Sequence, residues 1–243
     1  MRSVAGQERN DAMARLLVHV EGQTEETFVN QVLAPHLYAH GYTQVSARLV
    51  GNARQRDRRG GIRGWNDVRD DIVRHLKEDT SCLATTMVDY YGLPATGSKA
   101  WPGRESAEKL PFAQKTVTVN EALRSDIQSF MGAKFDPERF LPYVMMHEFE
   151  GLLFSDCTRF ADGIGRPELS PKFQAIRDSF STPEEINDSP IDAPSKRVES
   201  IIPGYQKPLL GLLAVKSIGL DKIRLECPQF RAWLQRLEGQ PLH

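Results

Sequence analysis

Apolar residues along this chain fall into short runs and spaced stripes, never into long blocks. The run Arg15–Val20 (Arg-Leu-Leu-Val-His-Val) is short and β-branched and stops at Glu21-Gly22, which predicts a buried strand. A helix is expected next, with Thr24 as cap, Glu25 and Glu26 in its first turn, and Phe28, Val29, Val32, Leu33 and Leu37 on one face. Pro35 is expected to kink it. Residues 42–50 alternate as a second strand, and Trp65, Val68, Ile72, Val73 and Leu76 stripe a second helix. Residues 82–88 form a third apolar run ending at Asp89, and a turn-rich stretch follows over 92–111. A helix over 117–131 would bury Val119, Ala122, Leu123, Ile127 and Phe130, and residues 140–146 read as a fourth strand ending at His147-Glu148. Strands alternating with helices predict an α/β fold with a mostly parallel sheet flanked by helices.

That pattern sets an acid directly after each of three apolar strands: Glu21, Asp89 and Glu148, with Glu150 two residues on. In an open α/β sheet the carboxyl ends of parallel strands share one rim, where ligands bind. Any one of these acids taken alone reads as a helix cap or a turn residue before it reads as a catalytic one. Taken together they are a candidate set for a hard divalent cation, Mg²⁺ or Mn²⁺, which takes a few carboxylates and keeps waters for a phosphate.

Length and composition bound this picture without redirecting it. The 243 residues, 40% hydrophobic and 26% charged, suit a globular core. The expected organisation is a polar, disordered leader over 1–14, an α/β core over 15–160, and a largely helical carboxyl-terminal extension over 161–243. Apolar stretches are too short to cross a bilayer, and the first residues carry no secretory h-region, so a cytoplasmic location without membrane association is expected. Cys82, Cys157 and Cys227 lie far apart with no Cys-x-x-Cys pair and read as buried thiols.

A net charge of −1 gives no global pull toward nucleic acid, so any polyanion site must be local. The best candidate lies over 48–63, where six arginines face one aspartate; Arg54, Arg56, Arg58 and Arg59 would bind nucleic-acid phosphates, or serve only as a solvated loop. Lys196 and Lys207 are further candidates to meet charge on a phosphoryl group. Residues 181–192, with four acids and two prolines, read as an acidic surface loop or linker. His19 reads as a core residue and His147 as a strand-end hydrogen-bonding residue or proton shuttle. His36, His40, His75 and His243 are taken to lack metal-ligand spacing. The string over 92–100 has Ser before Lys and Ala where a phosphate loop needs a hydroxyl, so it reads as a mobile flap and not as an ATP site.

On these residues the chain resembles the TOPRIM fold, the metal-dependent module of topoisomerases, primases and OLD-type nucleases. Leu17-Val-His-Val-Glu21-Gly22-Gln-Thr-Glu25 resembles its first motif, and Met87-Val-Asp89-Tyr-Tyr91-Gly92 its Asp-x-Asp motif. From about Leu16 onward the chain resembles a bacterial TOPRIM-like domain family of unknown function related to the OLD nucleases. The marks are Val-Glu-Gly-x-Thr-Glu, Asp-Tyr-Tyr-Gly-Leu-Pro, His147-Glu-Phe-Glu150, Pro194-Ser-Lys-Arg197 and Cys227-Pro-x-Phe-x-x-Trp233.

The resemblance implies a Rossmann-like sheet and a Mg²⁺-dependent nuclease acting on DNA or RNA, with Glu21 and Asp89 as principal ligands. It also implies a separate ABC-type ATPase as partner in defence against phage or plasmids, and the chain itself is a further candidate partner in a homo-oligomer. Tyr91 stands where the second motif aspartate is expected: either Glu148 or Glu150 completes the set, or metal binding is weakened. The alternative is a catalytically weak regulatory or nucleic-acid-binding subunit of an ATPase complex.

Overall fold

The computed structural model describes residues 14–50, 62–146, 148–186 and 193–240. Within them five strands pair in parallel throughout: β1 (Arg15–Val20), β2 (Gln44–Leu49), β3 (Cys82–Asp89), β4 (Phe140–Leu141) and β5 (Val144–Met145). The order is β2-β1-β3-β4, with β5 also on β3. The helices in chain order are α1 (Gln23–Phe28), α2 (Ala34–Tyr38), α3 (Trp65–Glu78), α4 (Arg104–Ala107), α5 (Phe112–Met131), α6 (Cys157–Gly163), α7 (Ser170–Arg177), α8 (Pro194–Ile201), α9 (Lys207–Ile218), α10 (Leu220–Glu226) and α11 (Pro228–Glu238). Among the described residues no helix is long and apolar enough to cross a membrane.

Side-chain alternation sorts the core into two layers. Leu16, Val18, Val20, Leu83 and Met87 face α1, α2 and the carboxyl-terminal helices, whereas Ala84 and Val88 face α3 and α5 with Trp65, Ile72, Val119 and Leu123. A helix-covered parallel sheet of this kind is the Rossmann-like α/β arrangement the strand pattern predicts. The carboxyl-terminal helices share the first layer: Trp233 of α11 stacks on Tyr143 at 4.6 Å between ring centres, and its Nε1 donates to Thr85 Oγ1 at 2.9 Å. Phe28 joins α1 to the same layer, with its ring 5.5 Å from Phe149 and 6.2 Å from Phe230. Phe28→Ala would cost about 3–5 kcal/mol.

Several local expectations are corrected. The predicted fourth strand splits into β4 and β5 because Pro142 has no N–H for the ladder. The register is kept across the gap, Ala84 opposite Phe140 and Val88 opposite Val144. Thr86 Oγ1 bonds both the N–H and the carbonyl of Tyr143 at 3.0 Å. The expected kink at Pro35 is instead a π-turn over Val29–Leu33, a widening just ahead of a residue that cannot donate to the preceding turn. The helix expected over 117–131 is α5, which begins five residues earlier than its periodicity suggests, with Pro111 as N-cap.

The segment over 92–111 is anchored rather than loose. Trp101 is buried, packs 5.0 Å from Trp65 and donates to the Arg63 carbonyl at 3.1 Å. The acidic stretch that reads as a surface loop contributes a buried residue: Glu184 accepts hydrogen bonds from the backbone N–H groups of Gln229 and Phe230 at 2.9 and 2.8 Å. It caps the amino terminus of α11, where a carboxylate is favoured by the exposed N–H groups. Residues 187–192 and the leader through residue 13 lie outside the described residues.

Candidate metal centre

Strand order places the site. β2 lies on one side of β1 and β3 on the other, so the direction of winding reverses between β1 and β3. A crevice opens at such a reversal beyond the strands' carboxyl ends. Glu21 leaves β1 there, Asp89 ends β3, and Glu148 and Glu150 follow β5.

Each acid is positioned by local structure. Gly22 is the N-cap of α1, and its N–H donates to Glu25 Oε2 at 3.0 Å, so Glu25 bends back toward the strand end. Thr24, expected as the cap, sits inside the first turn. The backbone N–H of Asp89 hydrogen-bonds the Glu21 carboxylate. Gly92 closes over the same group: a Cβ there would lie 2.9 Å from Glu21 Oε2. Arg104 fixes the turn after β3, donating from Nε to the Tyr90 carbonyl at 3.1 Å and stacking its guanidinium 4.1 Å from the Tyr90 ring centre. Glu148 Oε2 accepts from the Ser195 N–H at 2.9 Å at the start of α8, and Lys207 Nζ, at the start of α9, lies 3.6 Å from Glu150 Oε1.

The acids sense one another. Burial raises the Asp89 carboxyl well above the ordinary range, and the charges of Glu21, Glu25, Glu148 and Glu150 add to it. Burial likewise raises Glu21, against the Asp89 N–H, with Glu148 pushing further. Burial pushes Glu25 up to about 7 despite the Gly22 N–H, and Glu150 up to about 7 despite Lys207. Burial alone would lower the Lys207 ammonium; the carboxylates of Glu150, Glu148 and Asp89 outweigh it and raise it. Five carboxyl groups thus meet one ammonium.

Three of their oxygens, Glu21 Oε2, Asp89 Oδ1 and Glu150 Oε1, are buried without a hydrogen-bond partner among the described residues. Buried polar atoms are normally paired, and unpaired charge is costly. A divalent cation fits this donor set: hard oxygens, carboxyl groups in excess over the one lysine, and three buried oxygens without a hydrogen bond. Among the described residues, the three metal-ligand atoms lying within 4.8 Å of one another belong instead to His36, His40 and Glu238. The carboxylate oxygens therefore stand farther apart than those three atoms, which leaves room for coordinated waters.

A family model described as a domain of unknown function, DUF4276, matches residues 20–238, from the end of β1 to the end of α11. The chain belongs to this family. No curated protein and no solved structure matches it.

In this DUF4276 domain the structure brings Glu21, Asp89, Glu148, Glu150 and Lys207 together. Lys196 is engaged elsewhere, 2.7 Å from Glu199 and exposed to solvent. Arg54, Arg56, Arg58, Arg59 and His147 lie outside the described residues. Tyr91 packs edge-on against Tyr90, 5.4 Å between ring centres, on the α3/α5 side of the sheet. His19 is fully buried; burial lowers its pKa to about 3 and keeps it neutral, with Nδ1 3.3 Å from the Thr85 carbonyl. All three cysteines are buried free thiols.

Sequence reading missed Glu25 as a site residue, although its spacing of four from Glu21 across a glycine cap was the available signal. Tyr205 was missed too: its buried hydroxyl has no partner and its ionisation is raised by burial and by Glu150. The histidine reading is corrected as well, because His36 and His40 stand four residues apart across the end of α2, the spacing that sets two side chains on one helical face.

Proposed function

We propose that this chain is a TOPRIM-like, Mg²⁺-dependent nuclease that hydrolyses phosphodiester bonds of DNA or RNA, as an effector working with a separate ABC-type ATPase in defence against phage or plasmids. The observation that carries the reading is the meeting of Glu21, Asp89, Glu148 and Glu150 at the sheet's switch point, with three buried carboxylate oxygens that lack a hydrogen bond among the described residues. Glu21 and Asp89 would hold Mg²⁺ or Mn²⁺, with Glu150 and Glu148 completing the set. A bound cation would supply Lewis-acid activation and charge neutralisation at the phosphodiester.

The chain's own groups have separate tasks. Lys207 offsets charge on a non-bridging phosphate oxygen. Glu150, pushed up to about 7 without a cation, would give up its proton on joining the metal set. The Ser195 N–H keeps Glu148 turned toward the site. Arg54, Arg56, Arg58 and Arg59, outside the described residues, would meet the phosphates of a bound nucleic acid, a role that rests on their clustering in the sequence. Partnership with an ATPase and the defence role rest on the resemblance to OLD-type nucleases.

Tyr91 in place of the second motif aspartate favours the rival reading, a regulatory subunit with little catalysis. Cleavage of plasmid, single-stranded DNA and RNA with Mg²⁺ or Mn²⁺, with and without EDTA and a genetically adjacent ATPase, decides between them. The nuclease reading expects metal-dependent cleavage that Glu21→Gln lowers by orders of magnitude while folding and nucleic-acid binding persist. Absence of cleavage in every condition, with the biological effect intact in Glu21→Gln, would establish the regulatory reading.

A further inference from the structure

The acids described so far occupy the carboxyl rim, where α1 begins. Following α1 and α2 to their far end leads about 20 Å away, at 1.5 Å per residue, to a second cluster of different chemistry. Here His36 Nε2 lies 2.7 Å from Glu238 Oε1, His40 Nε2 lies 3.9 Å from the same oxygen, and the two imidazole centres are 4.5 Å apart. One ligand atom from each of the three residues falls within a 4.8 Å set. We propose that His36, His40 and Glu238 form a second metal site, selective for Zn²⁺ and similar borderline cations, that clips α2 to α11.

Three features support a site over a chance meeting of charges. The donor set of two imidazoles and one carboxylate is a Zn²⁺ set, unlike the all-oxygen carboxyl rim. His40 is already prepared for it: Nδ1 lies 3.0 Å from the His36 carbonyl, which can only accept, so Nδ1 carries the proton and Nε2, 3.9 Å from Glu238 Oε1, keeps its lone pair for a ligand bond. Glu238 is held by Arg224, whose Nη1 and Nη2 reach Oε1 and Oε2 at 2.9 Å each. On metal binding Arg224 keeps Oε2 and releases Oε1, and His36 presents Nε2 by shifting its proton to Nδ1. The clip joins positions 202 residues apart in sequence, so its occupancy adds to the stability of the folded chain.

The test uses tag-free full-length protein carrying Glu21→Gln and Asp89→Asn, which removes the two principal acids of the carboxyl rim as competitors. Zn²⁺ titrated by calorimetry should bind at one equivalent and raise Tm. His40→Gln, which leaves the His36–Glu238 pair intact for folding, should weaken binding by at least about 100-fold, since loss of a ligand exceeds the 10–100-fold cost of losing a supporting residue. Cu²⁺ bound to the parent protein should show electron-paramagnetic coupling to two imidazole nitrogens, and to one fewer in His40→Gln. The site is refuted by no Zn²⁺ uptake at 100-fold excess, by unchanged affinity in His40→Gln, or by a Cu²⁺ spectrum without nitrogen coupling. In any of those cases His36, His40, Glu238 and Arg224 are an ion-pair network only.

Discussion

Glu184 and Glu150 are both buried glutamates, 3% and 2% exposed, yet the fold treats them in opposite ways. Each oxygen of Glu184 accepts a backbone N–H from the first turn of α11. Glu150 has one oxygen with no hydrogen bond, a lysine 3.6 Å away, and other carboxylates facing it. The first arrangement offsets part of the desolvation of a charge with hydrogen bonds, although burial still raises the Glu184 carboxyl, and ties two distant segments together. The second leaves that cost standing, which a fold tolerates where a ligand later supplies the missing charge. Buried acids are therefore separated by the partners of their oxygens, not by their depth.

The largest expected contrast is in activity against stability. Asp89→Asn should abolish metal-dependent cleavage while raising stability by about 1 kcal/mol at pH 8, because it removes a buried charge facing four other acids. Glu184→Ala should do the reverse, lowering stability by about 2–3 kcal/mol and leaving cleavage by the folded fraction intact. Urea denaturation and a cleavage assay on both variants check this, and equal stability losses in the two would erase the distinction.

A second effect is expected in the pH dependence of stability. Glu25 and Glu150 stand at about 7 in the folded protein against an ordinary 4.5, so the folded state holds more protons than the unfolded one between those values. Without divalent cation, the stability these two groups contribute should fall as pH rises from about 4.5 to about 7, and the raised carboxyls of Asp89 and Glu21 add a loss in the same direction. Mg²⁺ should restore it increasingly across the same window. Denaturation curves at pH 5, 6, 7 and 8 with and without Mg²⁺ would show this, and a flat profile would mean that these acids are not held protonated by their surroundings.

The smallest effect concerns Gly92. Gly92→Ala places a methyl 2.9 Å from Glu21 Oε2 and should turn that carboxylate, weakening Mg²⁺ binding by about 10-fold with little change in Tm. Calorimetric titration reads the difference. An unchanged affinity would show that the closeness of Gly92 to Glu21 has no bearing on the site.

Strand ends were the legible part of this chain. Continuous apolar runs at β1 and β3 identify central strands, and an acid at the end of each follows the sheet to one rim whatever the helices do. What escaped the sequence depended on partners far away in it. Glu184 looks like a loop acid until α11 arrives 45 residues later to be capped. His36 and His40 lacked a visible third ligand because Glu238 lies 202 residues downstream of His36. The split of β4 from β5 was written in Pro142, but the threonine of β3 that spans the break could be matched to it only in the folded sheet.

The central claim, that the unpaired acids at the carboxyl rim are a cation site, is tested most directly by titrating Mn²⁺ into the full chain at pH 8 and following free Mn²⁺ by electron paramagnetic resonance. Wild type should take up Mn²⁺ and lose it to excess Mg²⁺, Asp89→Asn should bind at least about 10-fold more weakly, and Glu184→Gln should bind like wild type. Equal Mn²⁺ uptake by wild type and Asp89→Asn, or none by either, would contradict it.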